Sequence, residues 1–293
     1  MPTVSIGMPV YNGASYLRAA LDSILSQSFA DFELIISDNA SVDNTGCICL
    51  EYARMDNRIR YIRQESNIGA FKNFQFVLRE SVGKYFMWAA VDDLRTPDYI
   101  KNNVSLLDSF PLCAFSSSTN CFEDEAFDSG KKESFELTGN LFDRLSGFID
   151  ICWHSHACFY SLIRREALSE VLSIQQNYLA FDWSCIVILL KQGEFRRVSQ
   201  GVLTLGRSGE SMQPNFMKSM RALPIETILP LYRFSTHLIG IINGSSELSI
   251  SAKGVLLYKI IVLNVNVFYG QTRAALASYV KHMLRKCGYK KSL

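Results

Sequence analysis

Short apolar runs alternate with amphipathic stretches through the first 110 residues of the chain. The stretches carry apolar residues at spacings of three and four, the period of an α-helix, as in Leu17, Leu21, Ile24 and Leu25 and in Ala70, Phe71, Phe74, Val77 and Leu78. The runs have the length and composition of buried strands, at residues 4–10, 32–37, 58–63 and 85–91. This alternation predicts an α/β fold, a mostly parallel sheet with helices on both faces that binds ligands at the carboxyl ends of its strands.

A polar loop follows each predicted strand. Singly, each loop has an ordinary explanation, because Asn-Gly is turn chemistry and Ser, Asp and Asn are common helix caps. The carboxyl ends of parallel strands meet at one edge of a sheet, so we expect all four loops to converge there. The loops lie at residues 9–13, 37–43, 67–73 and 91–93.

Two neighbouring carboxylates, Asp92 and Asp93, come directly after the fourth apolar run. Adjacent negative charges at the end of a buried strand repel each other unless a divalent cation, a ligand hydroxyl group or a proton relieves them. A solvated turn is the alternative, since Asp is common in turns and Pro97 follows closely. The three other polar loops favour a ligand site.

In this order the loops PVYNG, SDNASVDNT, NIGAFKN and VDD, the last followed by a proline, resemble the nucleotide-sugar half of family-2 glycosyltransferases with the GT-A fold. The resemblance is close over residues 1–110 and continues loosely to about residue 210. It implies a GT-A sheet with a C-terminal helical extension. It also implies that Asp38 contacts the nucleobase, that Asp92 lies near the ribose and that Asp93 holds the metal ion.

The same resemblance implies donor contacts from further loop residues, namely Pro9, Tyr11, Asn12 and Asn67. The chain departs from the family pattern at Ala90, where many relatives carry another acid two positions before the pair. This departure changes the acids available for the ribose contact, while Asp93, the expected metal ligand, is retained.

A nucleotide-diphosphate sugar, which we expect to be UDP- or dTDP-linked, carries two adjacent phosphates and gains negative charge on the departing oxygen. Mg²⁺ or Mn²⁺ held by one or two carboxylates, with phosphate and water oxygens completing the shell, balances that charge as a Lewis acid. Lys72 is a candidate for a second positive group in the site. A solvated lysine at a helix start is the alternative.

Asp182 is the candidate catalytic base, because inverting transfer needs a carboxylate that removes the proton of the acceptor hydroxyl group. It precedes an apolar helix-like run at residues 185–190, and composition alone favours a simple N-cap. The resemblance reverses this preference, since relatives place a catalytic acid at a helix start in this segment, although Phe181 replaces a first acid found in many of them. Phe181 and Trp183 should raise the carboxyl pKa by excluding water.

Residues 153–162 read as a strand that leads into a helix start at residues 164–168. Its alternation puts Cys152, His154, His156 and Cys158 on one face. A zinc site is disfavoured, because ligands spread along one extended strand do not all converge on one ion. We expect a wall of the acceptor site in which His154 or His156 hydrogen-bonds a sugar hydroxyl or a phosphate, and an ordinary structural histidine is the alternative.

A hydroxyl-rich segment at residues 206–211 follows a strand-like stretch at residues 195–205. Arg207 suits bidentate phosphate contact, and the resemblance implies a mobile loop here that closes over the diphosphate. A plain surface loop is the alternative.

Beyond Met220 the pattern changes to long apolar helices. Lys259, Asn264 and Asn266 make membrane insertion of residues 254–269 costly, so we interpret this helix as packed or interfacial. Residues 271–293 carry six Lys or Arg and no acid. This predicts an amphipathic helix in peripheral contact with an anionic bilayer, or a helix that packs on the domain or on a homodimer partner.

Composition narrows the class of protein. At 293 residues and 48% hydrophobic content the chain fits a large domain with an appendage, and we divide it into a nucleotide-sugar half (1–110), an acceptor half (111–220) and a helical extension (221–293). A net charge of +2 does not favour nucleic acid as a partner. Eight cysteines without zinc-type spacing and the absence of a secretory signal predict a cytoplasmic protein, at most peripheral on the inner face of the cytoplasmic membrane.

These features predict a metal-dependent inverting glycosyltransferase of the hexosyltransferase type, which moves a sugar onto a hydroxyl group of a glycan acceptor in bacterial surface polysaccharide synthesis. The acceptor is a glycan or a lipid-linked glycan. One alternative is a non-catalytic nucleotide-sugar-binding protein on the same fold. A sugar nucleotidyltransferase is disfavoured, because no Gly- and Arg-rich triphosphate loop opens the chain.

Overall fold

The computed structural model describes residues 1–123, 135–208, 220 and 222–286, with side chains up to residue 273. The chain forms two compact units. The first comprises Met1–Asn177 with Phe181–Phe216, and the second comprises Tyr178–Ala180 with Met217–Leu293. The division of the chain at residues 110 and 220 stays a prediction.

The first unit is an alternation of strands and helices. Its strands are β1 Val4–Val10, β2 Phe32–Asp38, β3 Ile59–Arg63, β4 Tyr85–Trp88, β5 Leu94–Arg95, β6 Cys113–Phe122, β7 Leu162–Arg164 and β8 Glu194–Leu205. Its helices are α1 Ala14–Leu25, α2 Thr45–Met55, α3 Ala70–Arg79, α4 Tyr99–Ser109, α5 Leu141–Ile151, α6 His156–Phe159 and α7 Phe181–Gln192. Short 3₁₀ turns cover Cys152–His154, Arg165–Leu168 and Val171–Ser173.

The eight strands form one sheet in the order β3-β2-β1-β4-β7-β6-β8-β5. β3, β2, β1 and β4 are parallel neighbours, and β6 is parallel to β8. β7 is antiparallel to both β4 and β6, and β5 is antiparallel to β8. The predicted mostly parallel sheet with flanking helices is confirmed.

The core lies on both faces of β1, the strand between β2 and β4. Ile6 and Met8 are fully buried, and Gly7 sits directly beneath α3. A Cβ atom at Gly7 would lie 2.7 Å from the Val77 side chain and 2.9 Å from the Phe86 ring, so only glycine lets this helix approach the sheet. The Trp88 indole N–H donates to the Phe74 carbonyl (3.1 Å) and ties α3 to β4.

The predicted strand over residues 153–162 is wrong. The structure has a 3₁₀ turn, then the four-residue helix α6, and extended backbone only from Leu162. The Ser155 hydroxyl donates to the Cys152 carbonyl (2.6 Å) and the Ser161 hydroxyl to the Ala157 carbonyl (3.2 Å), which stabilises consecutive helical turns. The four side chains at 152, 154, 156 and 158 therefore do not share one strand face.

The second unit contains two long helices, α8 Tyr232–Gly244 and α9 Ile250–Lys286, which pack against each other. The predicted apolar helix over residues 254–269 is confirmed as part of α9. Within the described part of the chain one helical stretch, Ile250–Arg273, is long and apolar enough to cross a membrane by length and composition. Core helices of soluble proteins also pass that test, so the finding alone is weak.

Candidate functional site

Four polar loops meet at the carboxyl end of the parallel strands. Because β1 to β4 are parallel neighbours, the segments that follow them emerge at the same edge of the sheet. We call the loops at residues 9–13, 37–43, 67–73 and 91–93 the polar rim. It holds eight of the residues singled out from the sequence, namely Pro9, Tyr11, Asn12, Asp38, Asn67, Lys72, Asp92 and Asp93.

Asn12 joins the first loop of the polar rim to the second. Its backbone N–H donates to the Ser41 hydroxyl (2.9 Å), and its Oδ1 accepts the backbone N–H of Val42 (2.9 Å). Asn12 adopts a φ of 50°, a left-handed conformation that Asn tolerates because its amide hydrogen-bonds locally. The neighbouring Tyr11 is 49% exposed at the end of β1, so its ring is open to a ligand.

Asn39 joins the second loop to the third. Its Nδ2 donates to Asn67 Oδ1 (2.9 Å), and its Oδ1 accepts the backbone N–H of Ile68 (2.7 Å). Asn67 Oδ1 also accepts the N–H of Gly69, just before α3. Asn39 is only 2% exposed, so these hydrogen bonds replace water contacts that its amide has lost. The loops of the polar rim therefore hold one another in place.

Asp38 is fully buried at the end of β2. Its Oδ2 accepts the Tyr61 hydroxyl (2.9 Å) and an Arg63 guanidinium N–H (2.7 Å), while its Oδ1 accepts the Ser41 backbone N–H (2.8 Å). Burial and the hydrogen bond to Asp38 raise the pKa of Tyr61 to about 12, so the phenol stays a donor. Asp38 thus fixes Tyr61 and Arg63, and it is the half-exposed Arg63 side chain that meets solvent.

The acid pair lies against the segment that follows β8. Asp93 Oδ1 accepts the backbone N–H of Gly206 (3.1 Å), and Asp92 Oδ2 accepts the backbone N–H of Ser208 (2.9 Å). A Cβ atom at Gly206 would fall 2.3 Å from Asp92 Oδ2, so glycine is required for this close approach. The contact places residues 206–208 beside the acid pair. The rest of the predicted loop, residues 209–211, lies outside the described residues.

The acid pair has the chemistry of a divalent cation site. Asp93 is 3% exposed, and its Oδ2 has no hydrogen-bond partner and lies 4.0 Å from the Arg95 guanidinium. Burial, and to a smaller extent Asp92, raise the pKa of Asp93 to about 6 against the opposing effect of Arg95. No group of three His, Cys, Asp or Glu among the described residues forms a complete metal site. Two carboxylates with an unsatisfied oxygen fit Mg²⁺ or Mn²⁺ that takes its other ligands from phosphate and water.

Asp182 lies in the first turn of α7, as predicted, and remains partly exposed. Surrounding protein excludes water from its carboxyl group and raises its pKa, while the nearby His156 opposes the shift. Phe181 packs edge-on against Phe71, with ring centroids 4.8 Å apart. That contact joins the start of α7 to the start of α3, so Asp182 lies close to the third loop of the polar rim.

Tyr160 connects Asp182 with the acid pair. Its phenol interacts electrostatically with Asp93, Asp92 and Asp182, and these carboxylates add to the effect of burial in raising its pKa well above the usual range. The residue is anchored at its carbonyl by the Tyr99 hydroxyl (3.4 Å) and through its ring by Phe159 (5.3 Å between centroids). All three carboxylates therefore act electrostatically on one phenol.

His154 and His156 are both exposed, although not on a strand. His156 packs against the Phe122 ring with centroids 5.6 Å apart, and the Arg207 guanidinium lies 4.1 Å from the same ring's centroid. Arg207 is thus brought close to the histidine segment, while Lys72 is exposed on the first turn of α3. The specific ligand contacts expected of these four residues stay predictions.

Sequence reasoning missed several residues of this site. Tyr160 lies in an apolar run and carries no local signal of its own. Trp153 is 49% exposed and packs edge-on against Trp183 at 5.0 Å, beside Asp182. A tryptophan directly before the two histidines was visible in the sequence, but its neighbour Trp183 is 30 positions away. Arg95 was invisible, because its role depends on a buried contact with Asp93.

Comparison with protein families gives a match to "Glycosyl transferase family 2" over residues 5–172. Curated relatives include an uncharacterized glycosyltransferase of Rickettsia bellii, 38% identical over 108 residues, and one of Rickettsia typhi, 38% identical over 106 residues. Each match covers 36% of this chain, but only 15% and 32% of the respective relatives. The similarity is therefore concentrated in a segment about as long as the predicted nucleotide-sugar half, residues 1–110.

Solved structures resemble the chain over a much greater length. Staphylococcus aureus TarS 1-349 in complex with UDP-GlcNAc has a TM-score of 0.68 at 17% identity, covering 88% of this chain and 71% of TarS 1-349. The mannosyltransferase PcManGT of Pyrobaculum calidifontis, in complex with GDP-Man and Mn²⁺, has a TM-score of 0.56 at 15% identity, covering 99% and 81%. At these identities the likeness shows a shared fold, the GT-A fold expected from the loops.

Proposed function

The chain belongs to glycosyl transferase family 2, and from this premise we propose that it is a metal-dependent inverting glycosyltransferase. It transfers a sugar from a nucleoside-diphosphate donor to a hydroxyl group of a glycan acceptor. The observation that carries the proposal is the acid pair, in which buried Asp93 Oδ2 has no hydrogen-bond partner and both carboxylates accept backbone N–H groups of residues 206–208. A donor site and a base must share one cleft for transfer, and the contact of Phe181, next to Asp182, with Phe71 in the third loop of the polar rim supports that arrangement.

The polar rim binds the donor in this proposal. Tyr11 offers an exposed ring for the nucleobase. Asp38 contributes to nucleobase binding indirectly, because it fixes the Arg63 and Tyr61 side chains. Asp92 is partly exposed and lies near the ribose. Pro9, Asn12 and Asn67 shape the loops. The hydrogen bonds that join the first three loops to one another mean that these loops need little further ordering when the donor binds.

Asp93, with Asp92, would hold Mg²⁺ or Mn²⁺, which supplies Lewis-acid stabilisation of the departing diphosphate. The Gly206 and Ser208 backbone N–H groups that now donate to these carboxylates lie where the diphosphate would approach, and Arg207 between them supplies a cation for its charge. Lys72 offers a second cation from α3. UDP- or dTDP-linked sugars are the donors we expect, although the structural neighbours include a GDP-Man complex.

Asp182 acts as the base. It takes the proton of the acceptor hydroxyl group while that oxygen forms the new bond to the anomeric carbon, and the bond from that carbon to the diphosphate breaks with its electron pair leaving on the diphosphate. The carboxylate must be ionised for this step, and its raised pKa makes it a stronger base than an exposed aspartate. Attack opposite the leaving group inverts the anomeric configuration.

The acceptor approaches from the segment at residues 152–183. Trp153 presents a half-exposed indole, and it packs against Trp183, the residue that follows Asp182. An aromatic face suits the C–H face of a sugar ring. His154 and His156 offer hydrogen bonds to sugar hydroxyl or phosphate groups. A lipid-linked glycan of bacterial surface polysaccharide synthesis is the acceptor class we favour.

The proposal is tested by comparing donor binding with turnover in Asp182→Asn. We expect donor affinity within about twofold of wild type and a turnover loss of about 10²–10⁴-fold, the usual contribution of a general base. Donor binding is measured by calorimetry with Mn²⁺, and turnover by release of the nucleoside diphosphate. Glu166→Gln, a change at an exposed acid, is the control and should match wild type. Full turnover in Asp182→Asn would favour a different base, and absence of any turnover in the wild type with a broad donor panel would favour the non-catalytic alternative.

A further inference from the structure

Helix α9 has one face that is covered by protein. Leu256, Ile260, Leu263 and Val267 are buried at helical spacing, where α9 packs on α8. In the middle of this face the Asn264 amide donates to the Ser235 hydroxyl of α8 (2.8 Å) and to the Ile260 carbonyl (2.9 Å). The two long helices of the second unit are thus held together by apolar packing and a hydrogen bond. The covered face accounts for only part of the apolar surface of α9.

The remaining apolar residues of α9 lie on the surface of this unit. We call the set Val255, Tyr258, Ile261, Val262, Val265, Phe268 and Tyr269 the apolar stripe. All seven are exposed, from 37% at Val262 to 67% at Tyr258 and Tyr269. Their spacings of three and four put them on one side of the helix, and a row of seven large apolar residues is more than a protein surface normally leaves in water.

The charge around the apolar stripe identifies its partner. Residues 248–293 contain eight Lys or Arg and no acid, whereas residues 1–247 carry a net charge of −6. An exposed apolar stripe in a strongly basic stretch of sequence matches the boundary between anionic lipid headgroups and acyl chains. Tyr258 and Tyr269 are amphipathic residues of the kind that membrane interfaces favour.

Two other arrangements of α9 fit less well. A symmetric dimer through the apolar stripe would bring two segments of eight positive charges together, because the same patch faces itself across a two-fold axis. If α9 crossed the membrane, Lys253 and Lys259 would lie within the span. Helix α8, to which Asn264 is hydrogen-bonded, would have to detach from α9 or enter the membrane with it.

We propose that the apolar stripe of α9 binds the surface of an anionic bilayer, with the helix lying in the interface and its Lys and Arg residues against lipid phosphates. This inference concerns the second unit and does not depend on the transfer reaction proposed above.

The test is co-sedimentation of the full chain with vesicles of phosphatidylcholine, with and without 30% phosphatidylglycerol. We expect binding to the anionic vesicles that falls steeply with added salt and little binding to the neutral ones. Replacing two stripe residues, Ile261→Ser with Val265→Ser, should lower the partition coefficient about tenfold or more. Replacing three charges, Lys281→Gln with Arg285→Gln and Lys286→Gln, should lower it about 100-fold.

The matched control is Met55→Ser with Leu112→Ser, which removes two apolar side chains that are 75% and 76% exposed in the first unit. It should bind anionic vesicles like wild type, and circular dichroism should show that each variant is folded. Equal binding of the stripe variant and wild type would overturn the proposal. So would protein that resists extraction with alkaline carbonate, which indicates a transmembrane helix, or a lipid-free dimer in sedimentation velocity that the stripe variant abolishes.

Discussion

The polar rim and the segment at residues 152–183 hold their functional side chains in different ways. In the rim, buried Asn39 joins two neighbouring loops by hydrogen bonds, and buried Asp38 fixes the Tyr61 and Arg63 side chains of β3. In the segment at 152–183, His154, His156 and Trp153 project from short turns and are exposed. Under the proposed function, the rim would bind one fixed ligand chemistry, a cation-bound diphosphate, while the exposed segment would leave its acceptor contacts open to adjust. Substitutions of the hydrogen-bonded rim residues Asp38 and Asn39 should therefore cost stability as well as binding, and those in the other segment should cost activity alone.

The largest expected effect in the rim comes from Asp93→Asn. Removal of the metal carboxylate should eliminate Mn²⁺-stimulated donor binding and lower turnover by more than about 10³-fold. The ionised Asp93 opposes folding, because its pKa is raised from 3.8 in the unfolded chain to about 6 in the fold. That penalty is absent below about pH 4 and complete above about pH 6, where it amounts to about 3 kcal/mol.

The metal-free Asp93→Asn protein should accordingly melt at a higher temperature than wild type at pH 8 and at nearly the same temperature at pH 4. Melting followed by circular dichroism in the presence of a chelator measures this difference. An equal change of melting temperature at both pH values would contradict the assignment of a raised pKa to Asp93.

A structural change in the rim gives the next largest effect. Asn39→Ala removes the hydrogen bonds to Asn67 and Ile68 and should lower the free energy of unfolding by about 1–3 kcal/mol, along with donor affinity. Chemical denaturation measures the first quantity and calorimetry the second. Asn44→Ala is the matched control, because Asn44 is exposed and makes no side-chain cap. If Asn39→Ala lost affinity without losing stability, the rim would not be held in the way described.

Much of the rim was predictable because its signals are local. The apolar runs of β1, β2 and β4 are each followed at once by a polar loop, so the sequence predicts these strands and their parallel pairing. The strands β5 and β7 were missed, since they are two and three residues long and depend on antiparallel partners far away in sequence.

The segment at 152–183 resisted prediction for a related reason. Its apolar positions are too few to distinguish a strand period from a helical one, and serine-to-carbonyl hydrogen bonds settle the matter in favour of helical turns. Asp182 was proposed because the family resemblance favours a catalytic acid at this helix start over the simple N-cap that composition favours. Tyr160 was not found, because only the folded chain brings it among the three carboxylates.

On the acceptor side, Trp153→Ala should raise the KM for the acceptor about tenfold, the expected loss for an aromatic contact worth about 1 kcal/mol or slightly more. Stability and donor affinity should stay near wild type, since the indole is half exposed. Trp153→Phe keeps an aromatic face and should recover most of the loss. Steady-state kinetics with varied acceptor measures the effect, and a change confined to the KM for the donor would remove Trp153 from the acceptor site.

The smallest expected effect is a shift in the pH profile of His156→Gln. His156 lowers the pKa of Asp182 when it is protonated, so its removal should let that pKa rise further. Because Asp182 works only when ionised, the acidic limb of the kcat profile should move to higher pH. A shift to lower pH would mean that another group controls this limb.

The central claim is that the polar rim binds a diphosphate through a cation held by the acid pair. The most direct test is the melting temperature of the protein in the presence of a nucleoside diphosphate. Wild type should gain several degrees with UDP, dTDP or GDP together with Mn²⁺ and little with either component alone, because only the combined ligand binds the native state tightly. Asp93→Asn should show no such combined gain. An equal gain without Mn²⁺, or an undiminished gain in Asp93→Asn, would contradict the claim.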